Sequence, residues 1–144
     1  MTDKQERVGI IGAGRMGLPM VKHMIAKGFA VTACDIDPGN REKAKALGAA
    51  IVERPSDLGS AASFVILGVG YDAEVMAVTT GPGGLFETMQ PDAVIAVSAT
   101  VAPATVKTLA QAARARGGEG RDAPICRGRW FADEGRLLAL FGGE

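Results

Sequence analysis

Apolar residues in this chain gather in short continuous runs separated by glycine, proline and charged positions; they neither alternate strictly nor form one long block. Such runs read as parallel strands covered on both faces, because a strand buried on two sides has no polar side to alternate with. The first is Val8 to Ile11, bounded by glycine, and a helix is expected from Met16 to Lys27, stopped by Gly28. A second strand runs from Phe29 to Asp35. Pro38 and Gly39 then turn the chain, and Arg41 to Leu47 has helical composition ending at Gly48. Ala50 to Val52 makes a short third strand, Ser56 is placed to N-cap a brief helix, and Phe64 to Val69 is the clearest buried strand.

Beyond it, Asp72 to Val78 reads as helix, Gly81-Pro82-Gly83-Gly84 as turn, and Ala93 to Val97 as a fifth strand. Pro103 suits a first helical position and opens an alanine-rich helix to Arg116, closed by Gly117-Gly118. Near the end Leu137 to Phe141 has strand character, whereas Glu119-Gly120-Arg121 is too polar to read as one. Strand and helix alternate throughout. The architecture expected is therefore α/β: a Rossmann-type, doubly wound, mainly parallel sheet with right-handed crossovers and helices on both faces.

Composition sharpens this picture. The chain has 144 residues, 47% of them hydrophobic, with 16 basic and 16 acidic side chains, which suits one domain and excludes a disordered or strongly polyanion-seeking chain. Gly (20) and Ala (24) favour helices lying close on a sheet. Arg114, Arg116, Arg121, Arg127, Arg129 and Arg136 thicken late, but Glu119, Asp122, Asp133 and Glu134 are interleaved, so no nucleic-acid partner is expected. No run approaches the roughly 18 apolar residues of a membrane span, and the charged start from Thr2 to Arg7 carries no secretory segment. Cys34 and Cys126 lie far apart with no CxxC and one histidine, so neither a disulfide framework nor a metal site is supported. A reduced, cytoplasmic setting with no membrane partner is expected.

Gly12-Ala13-Gly14-Arg15-Met16-Gly17 fits GxGxxG, directly after the first strand and opening the first helix. In that setting Gly12 allows the tight turn, Gly14 admits a pyrophosphate against the backbone, and Gly17 lets the helix pack on the strand. The helix N-terminus offers free N–H groups and positive dipole to the anion. Asp35, about 20 residues on at the end of the second strand, can accept from both ribose hydroxyls of an adenosine and repels a 2′-phosphate. Ile36 follows it where an arginine would welcome that phosphate, so NAD is favoured over NADP. Asp37 is a rival to Asp35, though Pro38 beside it suggests a turn, and Arg41 is the residue best placed to upset the preference.

These residues resemble the β-hydroxyacid dehydrogenase family, which includes 3-hydroxyisobutyrate dehydrogenase and the N-terminal domain of 6-phosphogluconate dehydrogenase. Gly12 to Met20 is similar to the family's GxGxMGxPM opening. His23 stands where the family often has asparagine and reads as a surface or packing residue. Ser98-Ala99-Thr100-Val101-Ala102-Pro103 resembles DxSTxxP, a segment beside the nicotinamide, with Thr100 in place of its threonine but Val97 and Ala99 replacing its aspartate and serine. Asp122 to Gly128 resembles DAPVSGG, the loop that holds the substrate's carboxylate end, with Cys126 for serine and Arg127 for glycine. Gly135 to Gly143 parallels GxLxxxxGG.

The candidate cofactor residues are Gly12, Ala13, Gly14, Arg15, Met16, Gly17, Asp35, Ile36, Gly68, Val69, Gly70 and Thr100. The candidate substrate residues are Thr100, Cys126, Arg127 and Gly128. Arg127 either forms a bidentate pair with a substrate carboxylate or is a solvated side chain that blocks the pocket. Cys126 is not read as a nucleophile, since hydride transfer needs none.

The resemblance implies reversible hydride transfer between nicotinamide and a small 3-hydroxy acid. It also implies a second, all-helical domain, absent from this chain, with a catalytic lysine and most of a homo-oligomer interface. None of Lys4, Lys22, Lys27, Lys43, Lys45 and Lys107 falls in that lysine's motif, so residues 1–144 are expected to bind dinucleotide weakly and to catalyse nothing. A non-catalytic dinucleotide-binding module and a structural domain without ligand are the alternative readings, because fold does not fix function.

Overall fold

A computed structural model describes residues 5–142. Six strands form one parallel sheet: β1 (Arg7–Ile11), β2 (Ala30–Cys34), β3 (Ala50–Val52), β4 (Phe64–Leu67), β5 (Val94–Val97) and β6 (Glu119–Asp122). Their spatial order is β3-β2-β1-β4-β5-β6. The chain therefore winds outward from β1 to one edge and then returns to build from β4 to the other. Where β1 and β4 lie side by side, the connections leaving them diverge, and a crevice opens at the carboxyl ends of the strands.

The continuous apolar runs are explained by cover on both faces. Ile10 packs with Val21 of α1 (Gly17–Ala26) and Ala44 of α2 (Pro38–Ala46). Its neighbour Ile11 faces the other way, into a cluster with Leu58 of α3 (Pro55–Gly59), Val75 of α4 (Asp72–Thr79) and Leu109 of α5 (Pro103–Arg114). Each Val, Leu or Ile side chain so buried stabilises the fold by about 1.5–3 kcal/mol. A 3₁₀ turn, Leu85–Glu87, precedes β5. Among the described residues no helix is long and apolar enough to cross a membrane.

Four expectations change. Pro38 and Gly39 begin α2 instead of preceding it, because Asp37 Oδ1 accepts from Gly39 N at 2.6 Å and Asn40 N at 3.3 Å and so caps the helix early. Ser56 is not a cap: Arg54 holds that position, and Ser56 is buried inside α3, with its N–H donating to Gly83 O at 3.0 Å. The polar segment after α5 is strand β6. It succeeds as an edge strand, and a Cβ at Gly120 would stand 2.6 Å from Leu109 Cδ2 and 2.8 Å from Ala110 Cα, so glycine lets α5 lie on it. Finally, the expected strand at Leu137 to Phe141 shrinks to β8 (Leu138–Ala139), which pairs antiparallel with β7 (Ile125–Cys126) outside the main sheet. Between β7 and β8 lies a short helix, α6 (Gly128–Asp133), that the apolar pattern did not announce. Gly143, the second glycine of the terminal match, lies outside the described residues, as do Thr2, Asp3 and Lys4.

Candidate functional site

The turn leaving β1 is built by backbone contacts that only glycine allows. Gly12 has φ +95, and a Cβ there would lie 2.5 Å from Gly68 O. At Gly17 a Cβ would lie 2.1 Å from Gly12 O, so α1 could not come down on the strand end. Gly14 differs from both. It is not in the left-handed region, and a Cβ on it would meet nothing nearer than Asn40 Nδ2 at 3.8 Å. Neither conformation nor packing within the protein calls for glycine at 14. A backbone kept bare toward open space is what a phosphate group needs in order to reach the amides at the start of α1. Ala13 is buried, while Arg15 is exposed and Met16 half-buried at the mouth of that turn.

Asp35, 9% exposed at the end of β2, faces the same turn. Its Oδ2 accepts from Ala13 N at 2.7 Å and from Asn40 Nδ2 at 3.3 Å, and its Oδ1 accepts from Asp37 N at 2.8 Å. The carboxylate thus ties the glycine turn to β2, and its Oδ1, with one bond made, keeps acceptor capacity. Of the two acids, Asp37 caps α2, while Asp35 faces the glycine turn. Arg41 donates through Nη1 to Asp35 O at 3.0 Å, which holds its guanidinium on the backbone of the β2 turn. Ile36 is 96% exposed beside it. Burial, and next the neighbouring Asp35 carboxylate, push the Cys34 thiol up to about 11. That keeps it a protonated core residue.

Next along the sheet, Gly68 N donates to Ile11 O at 2.7 Å, which brings Gly68 and Val69 against Gly12, with Gly70 following. Gly70 N donates to Glu74 Oε2 at 2.7 Å. After β5, Ser98 N donates to Leu67 O at 3.0 Å; Val97 and Ala99 are buried in the core and Thr100 is exposed. The two departures from DxSTxxP are therefore apolar residues absorbed by packing, and the matching threonine is the one presented outward.

Sequence reasoning missed Asp72. It accepts from Ala102 N at 2.9 Å and from the Thr105 hydroxyl, and so caps α5 from α4, since Ala102 itself has no capping side chain. The Thr105 hydroxyl first and the Ala102 N–H second hold its carboxyl below the usual range. Its partners lie some 30 positions away, and no local pattern marks a cap donated across that distance.

The C-terminal region joins the same edge through Ala123 N, which donates to Val97 O at 2.9 Å just past β6. Cys126 pairs with Leu138 in the β7–β8 ladder and is half-buried. Arg127 has φ +79, the left-handed region, and Gly128 begins α6. The Arg127 guanidinium lies 5.4 Å from the centroid of the Phe131 ring, and that of Arg136 lies 5.6 Å from the same ring. His23 has the packing role expected of it: Nε2 donates to Asp133 O at 2.8 Å, which pins the end of α6 to α1.

Strand adjacency β2-β1-β4-β5 thus brings Gly12 to Gly17, Asp35, Ile36, Gly68 to Gly70 and Thr100 to one edge. Cys126, Arg127 and Gly128 follow the end of β6 on the small second sheet and its helix. A groove of about 850 Å³, lined by Lys107, Arg114, Arg121 and Asp122 among others, runs between α5 and β6 and takes in none of these residues.

Known proteins resemble this chain over nearly its whole length. The "Probable 3-hydroxyisobutyrate dehydrogenase, mitochondrial" of Dictyostelium discoideum is 30% identical over 143 residues, which is 99% of this chain and 44% of that protein. The 2-(hydroxymethyl)glutarate dehydrogenase of Eubacterium barkeri is 29% identical over 142 residues, 99% of this chain and 47% of its own. Among solved structures, 3-hydroxyisobutyrate dehydrogenase from Mycobacterium tuberculosis superposes with a TM-score of 0.91 at 23% identity, over 97% of this chain and 47% of that one, and so shares the Rossmann-like fold. This chain spans less than half the length of each of these relatives. Residues 7–144 match the family described as the NAD binding domain of 6-phosphogluconate dehydrogenase, and the chain belongs to that family.

Proposed function

We propose that this chain is the cofactor-binding part of an oxidoreductase that moves a hydride between nicotinamide and a small 3-hydroxy acid, taking NAD in preference to NADP. The observation that carries this reading is Gly14, whose missing side chain serves no contact inside the protein. A pyrophosphate lying on the bare turn explains it. On this reading Gly12, Ala13, Gly14, Arg15, Met16 and Gly17 cradle the phosphates, while Asp35 and Ile36 meet the adenosine ribose. Gly68, Val69, Gly70 and Thr100 line the way to the nicotinamide, and Thr100, Cys126, Arg127 and Gly128 face the substrate.

When bound, the nicotinamide supplies the site that accepts or gives the hydride. The residues of this chain bind and orient: the amides at the start of α1 meet negative charge, and the Asp35 carboxylate accepts from ribose hydroxyls and repels a 2′-phosphate. Handling of the hydroxyl proton is assigned to a second, helical domain of a homo-oligomeric protein. The length of the relatives beyond the shared stretch supports that division, and residues 1–144 alone then oxidise no hydroxy acid.

Thermal unfolding of the 144-residue chain with NAD, with NADP and without either tests the reading. NAD at about 100 times its Kd adds about 2.7 kcal/mol to stability, and the expected shift with NAD exceeds that with NADP. A larger shift with NADP overturns the role of Asp35, and no shift with either overturns dinucleotide binding by this chain.

A further inference from the structure

With a pyrophosphate on the glycine turn, two loops line the way to the nicotinamide: Gly68 to Gly70 after β4, and Thr100 to Ala102 after β5. Neither is closed by the residue that ends it, since Tyr71 and Ala102, which precede α4 and α5, make no side-chain capping bond. The acceptors come instead from the first turn of α4, whose acids are Asp72 and Glu74. Residues two apart on a helix point about 200° apart, so these carboxylates reach in different directions. Glu74 turns back, and its Oε2 accepts from Gly70 N at 2.7 Å. Asp72 reaches across to the next crossover, where its Oδ1 accepts from Ala102 N at 2.9 Å and from the Thr105 hydroxyl.

Neither acid enters an ion pair among the described residues; what they hold is the two loops. Apolar packing runs the same way. Val69 and Val101, one from each loop, are half-buried against the cluster that contains Val75 of α4 and Leu109 of α5, while Gly68, Gly70 and Thr100 stay exposed. The adenosine side is built without α4, by the bonds from Ala13 and Asn40 to Asp35.

We propose that Asp72 and Glu74 are positioning residues for the nicotinamide half of the cofactor. From one turn of α4 they fix both loops and so set the gap that the nicotinamide nucleoside enters, without touching it. A gap already ordered spares the bound cofactor the cost of ordering it. The proposal rests on the reading of the chain as a dinucleotide-binding domain with Thr100 on the nicotinamide side.

The test is calorimetric titration of the 144-residue chain with NAD and with ADP, which carries the adenosine and both phosphates but no nicotinamide nucleoside. Asp72→Ala is expected to weaken NAD binding about tenfold and to leave ADP binding within about twofold. Glu74→Ala leaves the cap of α5 intact and is expected to lower the ratio of NAD to ADP affinity by about threefold. Asp72→Asn should restore the wild-type ratio, because both bonds go to Oδ1 and a carboxamide keeps that oxygen. Equal losses for NAD and ADP, an unchanged ratio in either alanine variant, or a ratio that Asp72→Asn does not restore overturns the proposal. If the wild-type chain binds NAD and the ratio does not move, only the positioning role falls; if it binds neither nucleotide, the cofactor reading falls and takes this role with it.

Discussion

The turn after β1 and the turn after β7 both use left-handed backbone near the carboxyl edge of the sheet, with φ +95 at Gly12 and φ +79 at Arg127. The first is made by glycine and is crowded by backbone: Gly68 O stands 2.5 Å from where a Cβ would go. The second is made by arginine, exposed, with a glycine behind it and a guanidinium laid over a ring. Packing dictates residue identity in the first turn. In the second, the side chain is exposed and the conformation disfavours any residue but glycine, so backbone crowding does not dictate identity. Even within the first turn the contrast recurs, since Gly12 and Gly17 answer to neighbouring backbone and Gly14 to open space.

Substitution can break this comparison. The largest effect is expected from Gly17→Ala, whose Cβ meets the Gly12 carbonyl oxygen at 2.1 Å; urea unfolding should show a loss of about 3 kcal/mol or more. Gly14→Ala is its control. Stability should stay within about 0.5 kcal/mol while calorimetric NAD affinity falls about tenfold or more. A Gly14→Ala protein that binds NAD normally would remove the observation on which the cofactor reading stands.

Asp35→Ala comes next, because it orphans the buried Ala13 N–H and the Asp37 N–H together, for a loss of about 1–3 kcal/mol. The same protein should show NADP-induced stabilisation drawing level with that of NAD, since the charge that repels a 2′-phosphate is gone.

Asp72→Ala sharpens the role of a cap supplied from a distance. The folded carboxyl titrates below its ordinary value of 3.8, so its contribution is complete above that value and lost as pH falls through the lower folded one. Melting curves should therefore show the variant less stable than wild type near neutrality, and the two converging in strong acid. Last, Arg127→Gly relieves left-handed strain of about 1 kcal/mol, less the cation–π contact with Phe131, and its melting temperature should rise slightly.

What was legible and what was not follows one division. The runs at Val8 to Ile11, Phe64 to Val69 and Ala93 to Val97 read as strands because burial on two faces leaves an unbroken apolar signature that needs no partner to be recognised. The glycine turn read just as well, since its chemistry is local and its spacing is set by one strand meeting one helix. Legibility stopped where the determining neighbour is distant. Strand β6 carries Glu119, Gly120, Arg121 and Asp122 because it lies at an edge, against β5 and beneath α5. Helix α2 starts at Pro38 because Asp37 turns inward to cap it, although Pro38-Gly39 taken alone signals a turn.

By itself, then, the sequence determined the alternation of strand and helix, the doubly wound class, and the glycine loop with Asp35 at its proper distance, because each rests on residues adjacent in the chain or on a period. Only the tertiary structure decided that Gly14 faces open space while Gly12 and Gly17 are bare for packing, that Asp72 caps α5, and that Arg127 and Arg136 both lie against Phe131. The physical reason is that these depend on what stands within a few ångströms in space, and that neighbourhood is created by the strand order and by the closing of helices over the sheet.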